Sequence, residues 1–438
     1  MRDILITALV LGLLPFILRN ARLGAYVWVW LAMMVPHRLS YGFARDLPFS
    51  LMVGVATLLG FLMSKEKQPL PRSPILGIYL AFLFWMTLTS FFALDSYDAI
   101  FPRWVDIMKI HAAIFIILML IRGREQIERL LWVMTLSLGF YGFKGGIFTI
   151  LTGGSGRVWG PSGGVIAGNN ALGVALVMLM PFMYYLHQRA SHKRVRQGMV
   201  AVMVLTFAAI LGTQSRGALL SVVAMGIPLA LRGKRPVLTT LTVGVVMALA
   251  LALMPSSWTS RMETIESYGE DASAMSRIYT WTTLWNLAVD RPLVGAGFNA
   301  DIPAVFLQYA PATVGNFDFG GKILVAHSIY FQALGEHGFP GLLLYLTIGI
   351  FTWLRAGRMA KQLRDHENFG SWVPLLMRMV QASLIGFAVG GAFLSMVHFD
   401  FPYYVVAIVI LVEATVKEQS GDLRRGLRPP TQPQTGPA

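Results

Sequence analysis

The chain has 438 residues, of which 55% are hydrophobic and only 13% are charged, roughly half the charged share of an average soluble domain. That composition excludes a water-soluble globular enzyme, and the absence of cysteine excludes disulfides and thiolate metal sites. The formal net charge of +14 invites a nucleic-acid reading, but its distribution along the chain assigns it to membrane orientation instead.

Apolar runs fall at 4–18, 24–36, 49–63, 74–94, 104–121, 130–152, 164–186, 198–214, 217–231, 236–254, 327–354, 374–396 and 401–416. Recurrent runs of this kind predict an all-α polytopic membrane protein, because every backbone polar group must be satisfied within lipid. The first run is followed by no small-residue cleavage site and is read as part of the mature protein. It and the second are short for a bilayer core of ~30 Å, so they read as two tilted spans or as one span plus a re-entrant piece. The expectation is 12 or 13 spans, with 12 preferred because it places both termini on the cytoplasmic side.

Loop charge sets the orientation. Loops 19–23, 64–73, 122–129, 188–197, 232–235, 355–373 and the tail from 417 hold 23 Lys and Arg, against 8 in the longer set 37–48, 95–103, 153–163 and 255–326. The positive-inside rule puts the first set in the cytoplasm and the second outside. The chain then divides into membrane helices over 1–254, a large outer insert with short helices over 255–326, membrane helices over 327–416, and a Pro-rich, disordered cytoplasmic tail over 417–438. Within the insert, "MSRIYTWTTLWNLAVD" predicts a surface helix and "RPLVGAGFNADIP" a run of turns. No repeat announces an inverted-repeat transporter.

The informative charges lie on the outer side or inside spans, where an ionisable group is held at a free-energy cost. Arg216 in "QSRGALL" stands at an outer hinge between two runs, as a snorkelling anchor or as a ligand, with Gly217 beside it leaving room for close approach. Arg277 lies in the outer insert. Arg157 lies in "GGSGRVWGPSGG", either an incidental charge on a flexible turn or part of a loop that wraps an anion. His327 opens a span at the outer boundary. His337 is about 15 Å further along at 1.5 Å per helical residue, too far to share one reacting centre easily, and beside Glu336 it reads as part of a buried polar pair or as support for packing around "GFPG". Asp106 and Lys109 are three apart on one helical face and fit an ion pair. With Lys144 they are either structural or line the lower wall of an outward-facing cavity. Arginine forks suit phosphate oxygens, and histidine can act as a general base near neutrality. No D-x-D, H-E-x-x-H or P-loop occurs, so no divalent-metal, nucleotide or other cofactor site is expected.

The stretch "HSIYFQALGEHGFPG" fits His-[Asn/Ser]-x9-Gly-x-x-Gly through His327, Ser328, Gly338 and Gly341. With "SRGALL" at 215–220, "SRIYTW" around Arg277 and the "GNNALGVAL" span, it resembles the O-antigen ligase and polymerase superfamily, most nearly the lipopolysaccharide O-antigen ligase. Ser328 stands where Asn is common in that family, which leaves its helix-capping role open. The resemblance implies an inverting glycosyltransferase of the bacterial inner membrane with a periplasmic site. Its donor would be a glycan on undecaprenyl diphosphate and its acceptor a sugar hydroxyl of lipid A-core, with no metal, cofactor or nucleic acid. His327 would be the base, and Arg216 and Arg277, helped by Arg157, would hold the diphosphate. O-antigen polymerases and protein O-oligosaccharyltransferases share these motifs. A polyprenyl-glycan flippase is the competing reading from another class.

Overall fold

A computed structural model describes residues 1–231, 272–364 and 371–426, together with Gly244. The expected run at 236–254, the part of the insert before 272 and the tail beyond 426 lie outside the described residues. In chain order the helices are α1 (Arg2–Arg19), α2 (Ala21–Met34), α3 (Phe49–Met63), α4 (Pro74–Ser90), α5 (Tyr97–Leu120), α6 (Gly123–Leu151), α7 (Asn169–Arg189), α8 (Lys193–Gly212), α9 (Arg216–Leu231), α10 (Ala272–Asp290), α11 (Pro303–Tyr309), α12 (Ile329–Gln362), α13 (Trp372–Gly391) and α14 (Asp400–Gly426). The strands among the described residues are β1 (Thr313–Val314) and β2 (Phe317–Asp318), a short antiparallel hairpin in the insert. Among the described residues five helices, α6, α7, α8, α12 and α13, are long and apolar enough to cross a bilayer, and α2, α3, α4 and α9 are shorter apolar helices. The chain is an all-α multi-pass membrane protein.

At the centre stands α14, buried from Asp400 through Glu413 on every face, as expected of a helix that is apolar all round. It packs against α4, α5, α6, α12 and α13. The polar end of that buried stretch is satisfied: Ser73 donates to Glu413 at 2.8 Å, and Arg355 and Lys417 pair with the same carboxylate. Among the described residues the contact between α6 and α8 is the most extensive. A Cβ at Gly146 would overlap the Leu205 backbone and one at Gly142 would overlap Thr206, so these small residues let the two backbones approach, the usual basis of helix association in lipid.

The described parts of the two loop sets that make cross-loop contacts lie at opposite ends of the bundle. At one end Arg22 pairs with Glu66, Arg122 with Glu418, and Lys417 donates to the Arg72 carbonyl. At the other, Arg45 reaches Ser162, Asn299 donates to Asp95, and the Leu94 N–H donates to the Ala296 carbonyl. The chain start belongs to this second end. Asp3 accepts from the backbone N–H groups of Gly42 and Ala44, and Arg2 donates to the Leu39 carbonyl. The expectation that both termini share one side is therefore corrected. Because α1 and α2 are two separate helices joined at Asn20, the N-terminus and residue 417 lie at opposite ends. At the C-terminal boundary α14 also continues past 417 to Gly426, where a disordered tail was expected to have begun.

The insert is anchored by its own small core of Met275, Tyr279, Leu284, Phe306 and Phe319. Its helix α10 buries one face and packs along α12, and the predicted turns follow over 291–298. One of these turns enters α12 itself. Gly338 has φ +67° and breaks the helix, with Pro340 two residues on. The Phe339 N–H donates to the Pro292 carbonyl and the Ala296 N–H to the Gly335 carbonyl, both at 2.8 Å. A Cβ at Gly338 would strike the Pro292 and Leu293 carbonyl oxygens. Glycine is thus required here twice, for its positive φ and for the close approach of the insert. The portion of α12 beyond the break is long enough at roughly 36 Å to span the bilayer unaided.

Candidate functional site

His327 is the last residue before the Ser328 N-cap of α12 and takes φ +45°. A left-handed conformation in a non-glycine residue costs about 1–3 kcal/mol and persists only where the surroundings impose it. Here they do. The His327 N–H donates to Ser395 Oγ at 2.8 Å. The preceding Ala326 carbonyl accepts the Trp281 indole N–H at 2.8 Å. Trp281 also stacks on Phe331, with ring centroids 5.1 Å apart and planes 8° from parallel. Ser328 is buried but makes no side-chain cap bond, so the family's common Asn is not replaced here by a serine cap.

Trp281 and Arg277 are four residues apart on α10 and therefore share one face. That face brings Arg277 to His327. Burial first, and the positive charge of Arg277 second, hold the His327 pKa below its ordinary value, although the residue keeps solvent access. An imidazole so perturbed is neutral at neutral pH, the form that can accept a proton.

Arg216 opens α9, whose first turn is capped by Ser215 Oγ accepting the Ala218 N–H at 3.2 Å. The hinge before it also has a strained residue, Gln214 at φ +54°. A Cβ on Gly217 would meet Phe393 and the Gly390 carbonyl at 3.7 and 3.9 Å, ordinary contact distances. The turn over 390–395 therefore touches the Arg216 hinge through Gly390 and Phe393 and holds His327 through Ser395. Tyr330, three residues past His327, donates to the Ala388 carbonyl at 2.7 Å on the same helix end.

The glycine-dense loop of Arg157 is tied to this hinge as well. The Val158 N–H donates to the Gly212 carbonyl at 2.9 Å, and Gln214 Nε2 donates to the Gly154 carbonyl at 3.2 Å. Asn169 of "GNNALGVAL" closes the arrangement by donating to the Thr213 carbonyl at 2.8 Å. The Arg157 guanidinium lies over the Trp159 ring at 5.6 Å.

The lysines divide. Lys109 pairs with Asp106 at 2.9 Å, and both line a cavity of about 700 Å³. His398 and Phe399, from the loop that carries Ser395, form part of its wall. Lys144 does not line it. It is exposed on α6 beside exposed Phe143, Ile147 and Phe148, because the opposite face, with Gly142, Gly145 and Gly146, packs on α8.

Glu336 and His337 are indeed buried, at 3% and 0% exposure, but as part of a larger network. His398 Nε2 meets Glu336 Oε2 at 2.7 Å, and Gln332 Nε2 donates to Glu336 Oε1 at 3.1 Å. Asp301 stands nearby, accepting the Ala326 N–H. Burial, and then the Glu336 charge, push its carboxyl up to about 7 against the opposing pull of Arg103. Neither His398 nor Asp301 nor Ser395 was visible as a partner in the sequence, since each joins the site only through tertiary contact. Trp281, four residues past Arg277, had a weak signal in its helical spacing.

Residues 201–346 match a family model described as O-antigen ligase. Residues 1–191 match one described as a family of unknown function. No curated protein matches the chain. The first match covers a third of the chain and spans Arg216, Arg277 and His327 together, and over those residues the chain is similar to the O-antigen ligase family.

Proposed function

We propose that the protein is an O-antigen ligase of the bacterial inner membrane, moving a glycan from undecaprenyl diphosphate to a sugar hydroxyl of lipid A-core at the periplasmic face. The observation that carries the reading is the joining of Arg277 and His327 by α10, with the Arg216 hinge docked on the turn that fixes His327. The neutral imidazole accepts the acceptor hydroxyl's proton as its oxygen attacks the anomeric carbon. The bond to the diphosphate oxygen breaks with inversion, and the leaving diphosphate carries the bonding pair. Arg216 and Arg277, with Arg157 from the tethered loop, bind that charge as it grows, and fixed donors of this kind are most effective where water is excluded. The cavity beside loop 392–399, lined mostly by apolar side chains with charged groups at its edge, supports a place for the prenyl chain.

Reconstitution of the whole chain in liposomes with lipid-linked glycan and lipid A-core, omitting nucleotide and added metal, tests this. Glycan-extended lipid A is expected. Longer lipid-linked glycan assigns a polymerase instead, glycan on a Ser or Thr peptide assigns a protein oligosaccharyltransferase, and translocation without transfer assigns a flippase.

A further inference from the structure

The cluster Glu336, His337 and His398 lies away from the reacting pair and takes no role in the displacement proposed above. Its donor atoms all fall within 4.8 Å of one another. Two ring nitrogens in it, His337 Nε2 and His398 Nδ1, are buried without a hydrogen-bond partner. A buried polar atom left unpaired carries its full desolvation penalty, and nearly all such atoms are satisfied in folded proteins.

The state of the His337 ring follows from its other nitrogen. His337 Nδ1 is 2.8 Å from Thr89 Oγ1, and that hydroxyl already donates to the Met86 carbonyl at 3.0 Å. Thr89 oxygen is therefore the acceptor and Nδ1 carries the proton. In the neutral ring Nε2 then holds a lone pair, and it lies 3.8 Å from Glu336 Oε2. A lone pair this close to a carboxylate, with both residues buried at 0% and 3% exposure, is repulsive unless a cation sits between them. That distance is too long for a hydrogen bond and is close to the separation of two ligand atoms on one metal ion at metal–ligand distances of about 2.0–2.2 Å.

The surroundings match those of a bound ion. A ligating histidine commonly donates its second nitrogen to a neighbouring oxygen, and ligating carboxylates are hydrogen-bonded in turn. Thr89 serves His337 in this way, and Gln332 serves Glu336. The Trp85 indole N–H fixes the His337 carbonyl at 3.0 Å, and Phe298 packs edge-on against the His337 ring at 4.8 Å. We infer that Glu336, His337 and His398 form a binding site for a divalent transition metal of zinc-like preference. The ion rivets the kinked start of α12 to loop 392–399, so it holds the turn on which His327 is mounted. His398 gives up its present bond to Glu336 and ligates through one ring nitrogen, leaving a fourth position for water.

The test uses the full chain purified in detergent, stripped with chelator, exposed to zinc chloride and desalted, with metal counted by mass spectrometry. About one zinc per chain is expected in the wild type and in His327→Ala. Glu336→Gln and His398→Ala should lose it, and Thr89→Val should bind at least several-fold more weakly. Cobalt titration of the wild type supplies a measurement independent of whether the variants fold. A saturable one-to-one ligand-field band, displaced by zinc, is expected. Absence of that band, or equal zinc in wild type and in folded His398→Ala, overturns the assignment and leaves a metal-free polar network.

Discussion

Replacing His327 separates the chemistry of this residue from its backbone geometry. At φ +45° an alanine pays the left-handed penalty of roughly 1–2 kcal/mol, which glycine escapes. Glycine also gives the unfolded chain more freedom, worth about 0.4–1 kcal/mol in the opposite direction. The net expectation is that His327→Gly is more stable than His327→Ala by roughly 0.5–1 kcal/mol. Side-chain packing contributes little to the comparison, because both variants lose the same solvent-accessible ring. Unfolding of the purified chain in detergent, followed by tryptophan fluorescence, ranks the two, and the reconstituted transfer assay is run on both. Glycine above alanine in stability, with transfer abolished in each, is the expected outcome. Alanine more stable by the same margin would remove the strain argument, and transfer above a tenth of wild type in either variant would remove the base assignment.

The pH profile of transfer follows from the lowered pKa of His327. The proposed displacement needs the neutral ring, so the acidic limb should lie below the ordinary histidine value of about 6.5. Arg277→Gln removes a positive neighbour and should move that limb upward, whatever its effect on the maximal rate; an unmoved limb would deny the coupling. Asp301 has its folded pKa raised to about 7, so the folded chain binds more protons than the unfolded one between about pH 4 and 7, and stability falls as pH rises through that window. Asp301→Asn keeps an acceptor for the Ala326 N–H and should be the more stable form at pH 8, with the gain vanishing near pH 4; a gain equal at both values would contradict the assignment.

Much of the bundle was legible because apolar runs in lipid leave the backbone little choice but helix, and α3, α9 and α13 begin within two residues of their runs. Arg103 shows a limit: it was read into a loop, yet Ser96 at the N-cap and Asp98 in the first turn start α5 ahead of it. The exposed position of Lys144 was readable in principle from the glycines at 139, 142, 145 and 146, which mark the packed face of α6. The contact between Asp3 and Gly42 was not, since nothing in either segment names the other. The His327 motif could be read as a pattern, but the reason for its Gly338 lies in the turn at Pro292. The partnership of His398 with Glu336 is of the same kind: two residues far apart in sequence and joined only when α12 and α14 pack.

The break in α12 also constrains how the chain is made. Two of the hydrogen bonds that heal it come from residues 292 and 296, which leave the ribosome before Gly335 does. In the proposed orientation the insert is therefore already on the outer side of the bilayer when the helix arrives. Truncating or delaying that segment would leave a nascent span with raw peptide groups at the lipid surface, so assembly of the His327 end of α12 follows the order of translation.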